Sequence, residues 1–147
     1  MNLFESVICY DYTVARTHNE IKTIKTNGVH MIGLAWVCNV LSLMGIGIIY
    51  LYLSKHSSEI YDFLAFIKYW ELAGRIGLII FLVLIYSMSF GAYGGKIIFL
   101  NIIRRFHSMD EIDKNLVVAK GGRYFYGSLF TFFIIASAVV YLSKYLY

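Results

Sequence analysis

Asn39 is the single carboxamide within three long apolar stretches of this chain, and it sits beside Cys38 and one turn from Ser42. An amide in hydrocarbon needs a hydrogen-bond partner. The position therefore predicts a bond to another helix, with Tyr86, Ser87 or Ser89 as partners, rather than a substrate or ion contact. The second stretch carries a small-residue pattern: Ser87, Gly91 and Gly95 recur every four residues, and Gly94 follows Ser87 by seven. Such spacing leaves a groove along one helix face, where a second backbone can approach closely. The expected occupant is this chain's own first or third apolar helix. A helix of another subunit comes next, and a lipid, quinone or ion last.

Other chemistry is poorly provided for. The four histidines, His18, His30, His56 and His107, all lie outside the middles of the apolar stretches. That placement disfavours a haem held between spans. No Asp, Glu, Lys or Arg interrupts the stretches, so the carboxylate or lysine relays of proton and ion pathways are not expected. HExxH, GxSxG and GxxxxGK[ST] motifs are absent from the sequence. Cys9 and Cys38 form no CxxC and predict neither a disulfide nor a ligand set. The expectation is a protein without catalysis, metal or cofactor.

The elements that must position these residues are legible. Met31 to Leu53, Ile76 to Gly95 and Tyr124 to Ser143 contain no charge. About 20 apolar residues suffice to cross a bilayer as a helix. Hydrophobic residues make up 59% of the 147-residue chain, and its mean hydropathy is +0.66. That is more apolar surface than a soluble core of this size can hide. The fold class expected is an all-α membrane protein with three transmembrane helices and short amphipathic interfacial helices. It forms a single membrane domain over 1–147, with a polar N-terminal segment at 1–30 and spans at about 31–53, 76–100 and 124–144. The chain has no proline, which favours straight helices. Residues 1–30 lack a continuous apolar run and carry Glu5, Asp11 and Glu20, so a cleaved secretory leader is not expected.

Between the spans the periodicity changes. Leu3, Phe4, Val7 and Ile8 share one face of a short helix. Thr17 with Glu20 reads as a capping box opening a second helix to Lys25, and Asn27-Gly28 as a turn before the first span. Phe63, Phe66, Ile67 and Trp70 give the first connector an apolar face, suited to the bilayer interface or a partner. The second helix is expected to run on past the bilayer to about Phe106. Ser108 with Glu111 reads as a capping box for a connector helix at about 109–120, which Gly121-Gly122 then closes.

Basic residues flank the spans. Nine lysines and arginines fall on the side of the N-terminus and second connector, against four on the other. The positive-inside rule then places the N-terminus in the cytoplasm, or in the matrix of a mitochondrion, with the C-terminus opposite. A bacterial inner membrane is the expected location and the mitochondrial inner membrane the alternative. Lys96, Arg104 and Arg105 are the expected contacts to lipid headgroups. The net charge of +4 is accounted for by this anchoring, so nucleic acid is not an expected partner. Together these features point to a small accessory subunit of a larger integral membrane complex, whose partners are other membrane subunits and phospholipids. The alternatives are a homo-oligomeric pore or effector, and an immunity or regulatory protein that binds the spans of a partner.

Overall fold

Asn2 opens the first helix. Its side-chain Oδ1 accepts the Glu5 N–H at 2.7 Å, and its own N–H donates to the Glu5 carboxylate at 3.0 Å. This reciprocal pair is a capping box, which satisfies two of the N–H groups left over at a helix start. The computed structural model describes residues 1–15, 21–54 and 71–145, and it is helical, with no strand among them. The helices are α1 (Leu3–Ala15), α2 (Ile21–Leu53), α3 (Glu71–Tyr93), α4 (Lys96–His107) and α5 (Glu111–Tyr145).

Three of these are long and apolar enough to cross a membrane: Asn27–Leu53 within α2, Gly74–Tyr93 within α3, and Glu111–Tyr145. The helix α2 has 33 residues. With a rise of about 1.5 Å per residue it is about 50 Å long, well beyond the ~30 Å of a hydrocarbon core. The 35-residue α5 is longer still. Each therefore has a terminal segment outside its most apolar part, and those segments share one end of the molecule.

That end holds the packed core. Val7, Ile8 and Cys9 of α1, Ile32 of α2, and Phe99, Ile102 and Phe106 of α4 are buried together. Phe99, Ile102 and Phe106 recur at i, i+3 and i+7, so α4 buries one stripe and leaves Ile97 and Leu100 exposed. Phe4 stands edge-on to Trp36 at a centroid distance of 5.3 Å, to Tyr93 at 6.2 Å and to Tyr124 at 5.7 Å. Edge-to-face is a favourable geometry for aromatic pairs. One α1 side chain thus touches all three long helices.

Several expected boundaries are corrected. Asn27-Gly28 is not a turn, because α2 runs through it without a break. The helix expected at 109–120 is the start of α5, and Gly121-Gly122 lies inside that helix rather than ending it. Ser108 does not open α5: its hydroxyl donates to the Arg105 carbonyl and its N–H to the Arg104 carbonyl, closing α4. Asp110 stands at the N-cap, where its carbonyl accepts the Lys114 N–H. The second helix does not continue to Phe106 either. It stops at Tyr93, and Gly95 adopts an extended conformation before α4 starts. The Thr17–Glu20 box and the Phe63–Trp70 face lie outside the described residues.

Candidate functional site

Glycine decides where the helices approach. A Cβ on Gly33 would come within 2.8 Å of both Ser89 Oγ and Tyr86 Cδ2. The helices α2 and α3 therefore pack closely there, and a larger residue at this position would have to push the Ser89 and Tyr86 side chains aside. His30 joins this contact through its Nδ1 to the Tyr86 hydroxyl, and its ring packs edge-on against Phe90 at 4.9 Å. Gly45 makes the equivalent approach to α5 at Ile135.

Asn39 makes an interhelical bond as its residue type demands, but to an unexpected helix. Its amide Nδ2 donates to the Tyr124 hydroxyl at 3.0 Å, linking α2 to α5 instead of α3. Of the partners expected for it, Ser89 donates to the Tyr86 carbonyl of its own helix, Tyr86 meets His30, and Ser87 is exposed.

The groove expected at Ser87, Gly91, Gly94 and Gly95 is divided. Gly94 and Gly95 form the α3–α4 break. Gly91 is exposed and nothing among the described residues lies within 4 Å of its Cβ position, so the expected contact with this chain's own first or third span is absent. Ser87 faces outward on the same side, one turn earlier, with Leu84 and Ile80 at 58% and 54% exposure above it. Only 6% of the most apolar part of α3 is buried. This long face, small and hydroxylated at one end and aliphatic at the other, is the candidate site for another helix.

Of the expected headgroup contacts, Lys96 and Arg104 are exposed. Arg105 has a protein partner: its Nη2 lies 2.6 Å from Glu5 Oε1, tying α4 to α1. Burial would raise the Glu5 carboxyl, but the Asn2 N–H and the Arg105 guanidinium outweigh it and hold the group below its ordinary range. Both act by favouring the charged form.

Sequence reasoning missed the docking of α1. A Cβ on Gly121 would overlap the Ser6 carbonyl and lie 2.8 Å from Val7 N, and one on Gly122 would meet the Tyr10 ring at 2.9 Å. Across from them, a Cβ on Gly28 would lie 3.3 Å from Ile8 Cα. Backbone packs on backbone here, and three glycines on two helices make the cradle. Beside Gly28, Asp11 is 8% exposed, and its Oδ2 has no hydrogen-bond partner among the described residues. Burial pushes this carboxyl up to about 6, and the Gly28 N–H returns only part of the shift. Burial likewise pushes the Cys9 thiol up to about 12. In both cases the apolar surroundings disfavour the charged form. The signal in the sequence is the glycines themselves, Gly28 and Gly121-Gly122, which serve here as close-approach positions and not as a turn or a helix end.

Comparison with protein-family models, curated proteins and solved structures finds no match to this chain.

Proposed function

We propose that the chain is a small non-catalytic accessory subunit of a larger integral membrane complex, and that α3 is the helix it offers to a neighbouring subunit. The observation that carries this reading is the Ser87–Gly91 face. It has the small-xxx-small form that lets transmembrane helices approach, and nothing among the described residues fills it. The packed end supports the reading as well. Its core, the Phe4 aromatic cluster and the Arg105–Glu5 pair hold one end together, so the apolar helices leave a common base with their outer faces open.

A homo-oligomeric pore is less well supported. A pore needs polar side chains along its path, and of those in the apolar helices Asn39 and Ser89 already bond inside the chain, while Ser87 and Thr131 are exposed. The charge bias argues for the packed end facing cytoplasm or matrix in an inner membrane, with Lys96 and Arg104 toward phospholipid headgroups.

The test is extraction in mild detergent, followed by native mass measurement and disulfide cross-linking from Ser87→Cys. A heterologous partner cross-linked through α3 is the expected result. A stable 16.9 kDa monomer as the sole species would overturn the proposal.

A further inference from the structure

A cavity of about 180 Å³ opens between the C-terminal ends of α1 and α4 and the first turns of α5. We infer that it is a binding site for a small zwitterion of the phosphoethanolamine class, an ammonium and a phosphate two carbons apart. This inference does not depend on how α3 is partnered.

Charge is the first argument. Among the described residues one cation and one anion line the cavity, Lys114 and Glu111, and they pair at 3.0 Å. Their exposure differs, the Lys114 side chain being 23% exposed and Glu111 84%, so the lysine stem lies along the cavity wall while the charged pair stands at its mouth. A simple anion entering here would compete with Glu111, and a simple cation would compete with Lys114. A zwitterion replaces both halves of the pair at once, without leaving either charge unmatched.

The other polar side chains of the lining offer both an acceptor and donors. His107 Nδ1 lies 2.9 Å from the Ile103 carbonyl. That oxygen can only accept, so Nδ1 donates to it, and the neutral ring offers Nε2 as an acceptor for an ammonium. Asn115 also lines the cavity and offers amide donors to a phosphate. The Tyr12 ring, edge-on to His107 at 5.7 Å, and Phe106 supply apolar wall for a short carbon spacer. Size agrees: a cavity of ~150 Å³ takes a benzene-sized molecule, and this one is slightly larger.

The zwitterion has two sources, a free phosphate ester or the headgroup of a phospholipid, and the test separates them. O-phosphoethanolamine is titrated calorimetrically into the full chain in detergent, and the chain is also reconstituted in nanodiscs of phosphatidylethanolamine or phosphatidylcholine for native mass measurement. Saturable binding of the free compound supports the soluble source. Retention of phosphatidylethanolamine over phosphatidylcholine, whose quaternary ammonium cannot donate hydrogen bonds to Glu111, supports the headgroup. Lys114→Gln and Glu111→Gln should each weaken binding about tenfold, because each removes one charge-assisted contact. Melting without ligand should stay at the wild-type value, since both side chains stand at the surface. Inorganic phosphate binding as tightly as O-phosphoethanolamine, with Glu111→Gln improving it, would reduce the cavity to a plain anion site and overturn the inference. Equal retention of both lipids with no binding of the free compound would overturn it too.

Discussion

Gly121→Ala should displace α1, and the displacement can be sized. The new Cβ would overlap the Ser6 carbonyl and lie 2.8 Å from Val7 N. Non-bonded carbon contacts settle at about 3.5–4.0 Å, so α1 must shift by on the order of 1 Å. Neither obstacle is the tip of a flexible side chain; both are backbone of a helix held on several sides. Overpacking of this kind typically costs about 1–3 kcal/mol, and rigid neighbours favour the upper end. Full release of α1 would cost more. Val7 and Ile8 are fully buried. Re-exposing two such side chains costs about 3–6 kcal/mol. The expected state is therefore a loosened but docked α1.

Cys9 reports on it directly. It is fully buried, and burial holds its thiol near 12. The thiolate is the reactive form, so Cys9 should barely react with maleimide in the wild type. In a Cys38→Ala background, Gly121→Ala should raise the Cys9 labelling rate by roughly 5- to 150-fold, the population change that about 1–3 kcal/mol provides. Gly127→Ala is the control, because nothing among the described residues lies within 4 Å of its Cβ position. Labelling of Cys9 within about twofold of wild type in Gly121→Ala, with unchanged melting, would refute the close approach of α1 to α5.

Lowering the pH from 7 toward 5 should tighten α1. The Asp11 carboxyl stands at about 6 in the fold against an ordinary 3.8. The folded state therefore takes up its proton first and gains stability as pH falls through that window. Glu5 is held below its ordinary 4.5. It contributes stability above that value and loses it only at lower pH, so it does not mask the effect. Melting that is flat from pH 7 to 5, or an Asp11→Asn variant with the wild-type slope, would count against this. Asn39→Leu and Tyr124→Phe should each be mild, near the ~0.6 kcal/mol average of interhelical bonds in membranes, and a double-mutant cycle should show coupling; additive losses would mean the bond contributes nothing. Gly91→Leu should leave the isolated chain's melting unchanged while lowering recovery of any partner on α3, and a destabilised isolated chain would contradict the open face. A cysteine introduced at Asn115 should escape labelling from outside the cell and one at Ser57 should not; the reverse pattern would invert the topology.

The three apolar helices were legible because lipid solubility is a property of composition: uncharged runs around Asn39, Ser87 and Thr131 leave few alternatives to spanning helices. The α1 face was legible too, since Phe4, Val7 and Ile8 repeat at helical spacing whatever they pack against. Asn39 disclosed that it needs a partner, because an unpaired amide is costly in any apolar setting. Which partner it takes depends on whether α3 or α5 lies beside α2 at that depth, and this belongs to the assembled bundle. The glycines mark the boundary most clearly. Gly28, Gly91, Gly94 and Gly121 carry the same chemical information in the chain, a missing side chain. Tertiary structure alone assigns them different tasks: Gly28 and Gly121 admit the backbone of α1, Gly94 stands at a helix break, and Gly91 leaves a face open. A missing Cβ both frees the backbone to bend and lets another backbone come close, and only the presence or absence of a neighbouring helix selects between these uses.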